Sequence, residues 1–457
     1  MTATTSASER LGSFVAGLRY EDIPRPAVEQ ACRMFLDAIG CALAAWREDP
    51  RKAGIARAVA EEFAAKGGAS IVGGGVTHPA LAALANGILA NAADNDDTHK
   101  RALIHVGSVV VPAALAVCED RGLSGRDLIV AMVAGYEVTA RVGMAVMPTH
   151  YRFWHSTATN GTFGAAAAAA RAMGLDAAAT QAALGFAGTQ AAGLNAFFET
   201  GDDSKSVHPG KAGMNGVLAA RLAALGATSP PDIFGHPKGY LAAYSTEPDA
   251  AVLTRGLGET WEITQNGYKP YPSILASHSP IGAALEIVAR HAPDPARIES
   301  VAINTYATVK SHFSSKQADS TMASRLSVPY CVAVALVDGK VGQPQFQPDR
   351  FQDARVRRVL DRTEVVADAE LTKLYPEKFP ARVVVRMQGG ESLQAEMMYP
   401  KGDPQNPLSN DELAQKFRDN ARDYLPAGDV EKFISAAMDL SSAATLAELT
   451  RPLRARS

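Results

Sequence analysis

The run Asp94-Asn-Asp96-Asp97-Thr98-His99, followed by Lys100, Arg101 and His105, is the densest cluster of ionisable groups in the chain. Carboxylates and imidazoles so close together can exchange protons, hold an ammonium group, or ligate a divalent cation. The run follows Leu81 to Ala93, a segment apolar on nearly every side, so some of these groups are expected to face an interior. Burying three carboxylates together is costly unless cations or hydrogen-bond donors meet them. The plainer alternative is a solvated acidic helix C-terminus, although acids at that end oppose the helix dipole.

Three histidines lie in stretches that read as loops. His155 sits in Arg152-Phe-Trp-His-Ser-Thr-Ala-Thr-Asn-Gly, ahead of an alanine-rich helix, where outward-pointing N–H groups suit a carboxylate. His208 sits in Asp203-Ser-Lys205-Ser-Val-His208-Pro-Gly-Lys211, and His278 ends Lys269-Pro-Tyr-Pro-Ser-Ile-Leu-Ala-Ser-His278. One histidine alone is more often structural than catalytic; three near cations or hydroxyls make a better signal, though not a specific one. Lys205 suits an anion, or a Schiff base if buried. Aspartates in a helical bundle can also hold Mg²⁺, as the two motifs of isoprenoid synthases do, but Asp202-Asp203 is only a pair and no second motif is present. Gly73-Gly-Gly75 lacks both nucleotide-loop patterns, and no GxSxG is present.

These residues need a scaffold, and periodicity predicts a helical one. Val28, Ala31, Phe35 and Ile39 recur at helical spacing between Pro24 and Ala45. Ser124 and Asp127 form a capping arrangement opening Leu128 to Val146. Gly164 to Gly174, with six consecutive alanines, predicts a helix that neighbours can approach closely, and Lys211 to Leu225 predicts another. After about residue 265 the character changes. Val301, Ile303 and Tyr306 read as a strand, Phe351 to Arg362 as a surface helix, and Ala381–Met387 with Ser392–Met398 as a hairpin turning at Gln-Gly-Gly-Glu. Ser409-Asn-Asp-Glu412 is a capping box before Leu413 to Tyr424. The expectation is a mostly α protein: a large helical domain from residues 1–265 and 405–457, with an α+β domain inserted at 266–404.

At 457 residues two domains are the default, and a net charge of −3 offers no basic field for nucleic acid. The four cysteines, Cys32, Cys41, Cys118 and Cys331, are scattered, as in a reduced cytoplasmic protein. Met1 to Gly12 lacks the basic-then-apolar pattern of a secretory signal, and the alanine-rich stretches are interrupted before they could span a bilayer. No membrane association is expected.

A series of landmarks in order resembles the MmgE/PrpD family, which includes 2-methylcitrate dehydratase, cis-aconitate decarboxylase and iminodisuccinate epimerase. They are Asp94-Asn-Asp-Asp-Thr-His99, His105 with Val109-Val-Val-Pro-Ala-Ala, Gly135-Tyr-Glu-Val, Gly161-Thr-Phe-Gly-Ala-Ala, Asp203-Ser-Lys-Ser-Val-His208, Lys269-Pro-Tyr-Pro-Ser273, Ser327-Val-Pro-Tyr-Cys-Val-Ala-Val-Ala-Leu and Pro400-Lys-Gly-Asp-Pro-Gln-Asn-Pro-Leu-Ser. The resemblance implies a homodimer, a helical domain with a smaller lid, an active site in the cleft between them, and no metal or other cofactor. Its active-site positions correspond to Asp94, His105, His155, Lys205, His278 and Tyr330. Trp154-His-Ser stands where the family often has Phe-His-Pro, Asn95 replaces an aromatic, and Ser204-Lys-Ser-Val-His replaces Thr-Lys-x-x-His. These departures bear on the lining that selects a substrate rather than on the general chemistry.

The chemistry so implied makes or breaks a C–H bond beside a carboxylate of a small polycarboxylic acid. The carbanion places charge on carboxylate oxygens, which cations and N–H donors stabilise while a base or acid moves the proton. His105 and His155 are the proton-transfer candidates, Asp94 orients or tunes an imidazole, and Lys205 and His278 bind carboxylates or protonate a departing hydroxyl. Tyr330 adds a hydrogen bond from the lid. Dehydration, as in 2-methylcitrate dehydratase, is the favoured outcome, with epimerisation and decarboxylation as alternatives. A helical carboxylate-binding protein without turnover is the reading from another class.

Overall fold

The computed structural model describes residues 5–63, 66–200 and 202–454. The start of the Ser/Thr-rich N-terminal stretch, residues 1–4, lies outside them. The chain is mostly α-helical and divides into two compact units, Met1–Asn266 with Ser409–Ser457, and Gly267–Leu408.

The first unit is helical apart from a few two-residue strands. Helix Arg25–Glu48 buries an almost continuous run from Met34 to Ala45, because small and apolar residues occupy every side of it there. Helix Asn410–Ala421, brought in from the far end of the chain, starts at the Ser409/Glu412 capping box. Its Phe417 leaves no room for a side chain at Gly40 and stacks on Phe433 with ring centroids 5.1 Å apart. Helix Gly125–Val146, opened by the Ser124/Asp127 capping box, has the length and apolarity of a membrane span, yet its whole apolar window is buried within the unit. Its Arg141 is 1% exposed; the guanidinium pairs with Glu137 at 3.2 Å and donates to the carbonyls of Arg255 and Thr260 at 2.6 and 3.0 Å.

Two close helix crossings place the candidate residues. Gly164 faces Thr139 and Gly135, so helices Ser156–Met173 and Gly125–Val146 touch backbone to backbone. Gly87 faces Gly210 in the same way: a Cβ on Gly87 would lie 2.6 Å from Gly210 Cα. This second contact sets helices Pro79–Ala92 and Ser204–Ala224 antiparallel, so that the end of one, leading to Asp94, meets the start of the other, carrying Lys205.

Two helix starts differ from the sequence expectation. The alanine-rich helix begins at Ser156 rather than Gly164, with His155 as its N-terminal cap residue. The helix expected from Lys211 begins at Ser204, so Lys205 and His208 are helical rather than in a loop. Pro209 lies early in this helix, where its fixed φ fits and only the bond to the Lys205 carbonyl is forgone. The Asp202 side chain accepts from Ser204 N at 2.8 Å and opens the helix seven residues early.

The second unit holds a four-stranded sheet in the order Thr363–Ala367, Ile298–Thr305, Ala381–Met387, Ser392–Met397. The first pair is parallel and the others antiparallel; the hairpin falls where its glycines predict. Alternate residues of Ala381–Met387 face a core shared with helices His278–His291 and Val328–Asp338. The expected surface helix is shorter, Ala354–Asp361, and buries Val356, Val359 and Leu360.

Candidate active site

After helix Pro79–Ala92 the chain turns sharply at Asp94, whose φ of 52° is a left-handed conformation that aspartate tolerates better than most residues. Leu103, at φ 51°, marks a second such turn before His105. Residues 94–99 are all buried, so the solvated-terminus alternative does not hold. The reason is that each carboxylate has found donors. Lys205 Nζ lies 2.6 Å from Asp94 Oδ1. Asn91 Nδ2 donates to both oxygens of Asp96, at 3.1 and 2.9 Å. Asp97 accepts from Gly107 N at 2.8 Å, from the Tyr136 hydroxyl at 3.1 Å, and from Asn266. Burial, with the charges of Asp96 and Asp37 added, still pushes the Asp97 carboxyl well above the usual range.

His105 is held on two sides. Its backbone N–H donates to Thr157 Oγ1 at 3.2 Å, tying it to the start of helix Ser156–Met173. Its ring Nδ1 lies 3.0 Å from the Asp97 carbonyl oxygen. A carbonyl can only accept, so Nδ1 carries the proton and the neutral ring has its lone pair on Nε2. Asp96 Oδ1, 3.4 Å from the same Nδ1, stands ready to stabilise the doubly protonated ring.

His155 is pinned by its backbone N–H to the Gly193 carbonyl at 3.0 Å, and Asn195 Nδ2 donates to the Tyr151 and Trp154 carbonyls just before it. Its ring Nδ1 lies 2.9 Å from His208 Nδ1. Burial, then the neighbouring His208, His105 and Lys205, holds the His155 imidazole far below its ordinary pKa, with Asp94 opposing. His155 is therefore neutral in the working range. Asp94, His105, His155 and Lys205 thus converge within the first unit. Ligand atoms of Asp94, Asp96 and His105 lie within 4.8 Å of one another, a spacing a divalent cation could use. The positive charge beside Asp94 is that of Lys205.

The other two sequence candidates belong to the second unit. His278 is the first residue of its helix, fully buried, with Nε2 3.3 Å from the Ser273 carbonyl and its ring edge-on to Tyr271. Tyr330, expected to give the substrate a hydrogen bond, lies among the core residues of this unit. Its side chain is fully buried in the core of the unit and its hydroxyl donates to the Gln345 carbonyl at 2.5 Å. It follows Pro329 in the apolar stretch Val328–Leu336, all of which is buried.

A pair that sequence reasoning missed lies under the acidic segment. Lys416 Nζ donates to Asp37 Oδ1 at 2.6 Å and to the Asn95 carbonyl at 2.7 Å. The one local signal was an aspartate inside the apolar run Met34–Leu43.

His150, 1% exposed, supports the same helix. Its Nδ1 donates to the Tyr244 carbonyl at 3.1 Å and its Nε2 accepts from the Thr159 hydroxyl at 2.8 Å. Burial lowers its pKa from 6.5 to about 4. As pH falls below 6.5 the unfolded chain gains a proton that the folded chain refuses, so stability falls until about pH 4. The full effect is about 3 kcal/mol. Urea midpoints measured across this window should fall less steeply for His150→Gln than for the wild type; parallel curves would refute the assignment.

Two family models match the chain. The MmgE/PrpD N-terminal domain matches residues 9–253 and the MmgE/PrpD C-terminal domain residues 271–441. The chain belongs to the MmgE/PrpD family. A cis-aconitate decarboxylase-like protein, oryM, of Aspergillus oryzae is 29% identical over 98% of both chains. Cis-aconitate decarboxylase of Aspergillus terreus is 28% identical over 91% of this chain and 89% of its own. The human cis-aconitate decarboxylase is 26% identical over 98% of this chain and 95% of its own.

Proposed function

We propose that this chain is a lyase that decarboxylates cis-aconitate or a close polycarboxylate, forming its new C–H bond through His105. The relatives' names move the choice from dehydration to decarboxylation within the same carbanion chemistry. When the CH₂–COO⁻ bond breaks, its electron pair forms a new C=C bond. The old π pair moves to the carbon beside the remaining carboxylate and spreads onto that carboxylate's oxygens. A proton then closes the reaction, giving methylenesuccinate and CO₂.

The observation that carries this reading is the anchored His105. Because Nδ1–H is committed to the Asp97 carbonyl, proton exchange is confined to Nε2, which takes a proton from solvent and delivers it to carbon. Asp96 favours the charged ring before delivery. Lys205 supplies a cation for the charge growing on the substrate carboxylate, and Asp94 holds that ammonium in place. His155, being neutral, serves as a hydrogen-bond donor rather than as a second proton carrier. No step calls on a cofactor.

Incubation with cis-aconitate in D₂O should release CO₂ and give methylenesuccinate carrying one deuterium, read by NMR. Parallel samples with 2-methylcitrate and iminodisuccinate separate the alternatives: alkene formation marks a dehydratase and inversion an epimerase. Either outcome, with cis-aconitate untouched, would overturn decarboxylation. Tight binding of all three without turnover would point to a carboxylate-binding protein.

A further inference from the structure

We propose that His208 is a positioning residue of this site: by donating its Nδ1–H to His155 Nδ1, it fixes His155 as the Nε2–H tautomer, a donor to a substrate carboxylate. The inference rests on the carbanion reading above. The two Nδ1 atoms are 2.9 Å apart and the rings are tilted by 42°, so the contact is a hydrogen bond between nitrogens and not a stack. Such a contact holds one proton. With none, two lone pairs face each other; with two, two N–H groups collide.

The chemistry of the substrate gives the direction. A carboxylate presents only lone pairs, so His155 can meet it only through an N–H. Its Nδ1 is engaged with His208, which leaves Nε2 as the donor. A neutral ring protonated on Nε2 has its lone pair on Nδ1, and the shared proton therefore belongs to His208. In this state His155 and Lys205 stabilise the same developing charge, one as a neutral donor and one as a cation, while His105 alone carries the proton to carbon.

The surroundings hold the pair in place. Phe197 sets its ring edge-on to both imidazoles, with centroids 5.0 Å from His155 and 5.9 Å from His208. Gly193, at φ 148°, closes the back; a Cβ there would fall 2.3 Å from Ala158 Cβ and 3.4 Å from His208 Nε2. The charged and titratable groups that act on the pair are His105, Lys205 and Asp94 on the His155 side, and Lys211 and Asp202 on the His208 side. Burial first, then Lys211, lowers His208 to about 4 against the pull of Asp202, so both rings are neutral at neutral pH.

The test is ¹⁵N NMR of substrate-free protein labelled at histidine, with His155→Gln and His208→Asn assigning the two rings. The expected pattern at neutral pH is protonated Nε2 and bare Nδ1 on His155, and protonated Nδ1 on His208. The reverse pattern, or Nε2–H on both rings, overturns the proposal whatever the substrate proves to be. In the kinetic arm, His208→Leu should lower kcat by about 10–100-fold with a smaller change in KM. His208→Asn, whose amide Nδ2 donates from about the place of Nδ1, should recover most of that loss; equal losses in both variants would reduce His208 to a packing role. If the NMR pattern holds while no polycarboxylate turns over, the assigned reaction fails and the tautomer assignment stands.

Discussion

His105→Asn is expected to lower turnover of cis-aconitate by about 10²–10⁴-fold, with KM changed only a few-fold. The substitution is chosen for what it keeps. An asparagine amide Nδ2 sits close to the position of the imidazole Nδ1, so the hydrogen bond to the Asp97 carbonyl and the turn that follows Leu103 can survive. What it lacks is any atom at the place of Nε2 that can carry a proton at neutral pH. A loss confined to kcat assigns the missing function to proton delivery, because an interaction made equally in bound substrate and transition state would appear in KM. Single-turnover product analysis sharpens the test: where C–C cleavage still proceeds slowly, the variant should incorporate solvent deuterium with reduced facial selectivity. Turnover within about three-fold of the wild type would remove His105 from the mechanism, since general acid–base catalysis contributes far more than that.

The sequence carried the local part of this structure and missed the long-range part, for identifiable reasons. Capping boxes at Ser124 and Ser409 and the alternation in Ala381–Met387 depend on neighbours within a few residues, and each was legible. The helical spacing of Val28, Ala31, Phe35 and Ile39 made helix Arg25–Glu48 legible, though not its burial on every side from Met34 to Ala45. By contrast, Asp37 and Lys416 are 379 residues apart, and nothing local to either tells of the other. The start of helix Ser204–Ala224 was missed for a different reason. Pro209 is tolerated early in the helix, and Asp202, whose side chain accepts from Ser204 N, reads in the sequence only as half of an acidic pair. In the candidate site, composition pointed to the acidic run but left its environment open between water and interior. Donors such as Asn91, Tyr136 and Lys205, from three different helices, decide that question. Tyr330 has a setting that its motif does not give, since its hydroxyl donates to the carbonyl of Gln345, fifteen residues on. His208 shows the converse, since nothing in its sequence neighbourhood says that it faces another histidine.

Lys205→Met is expected to lower kcat/KM by about 10²–10³-fold, comparable to the removal of one preorganised donor to a developing oxyanion. It should also destabilise the fold, because the Asp94 carboxylate, 4% exposed at the side chain, loses the ammonium 2.6 Å away. Breaking one side of a buried ion pair costs about 3–5 kcal/mol. The two effects have different origins, and a double-mutant cycle with Asp94→Asn separates them. Asp94→Asn alone leaves the ammonium without its counter-charge and should also destabilise. Combining the two removes both charges, so the double variant should be less destabilised than the sum of the singles by about 1–3 kcal/mol, read from urea midpoints. Activity should behave otherwise: the double variant still lacks the cation that meets the substrate carboxylate, and its kcat/KM should stay at the level of Lys205→Met. Recovery of stability without recovery of activity assigns the ammonium to the chemistry as well as to the fold. If kcat/KM rose with stability in the double variant, or if Lys205→Met kept nearly full activity, Lys205 would be no more than the partner that makes a buried Asp94 tolerable.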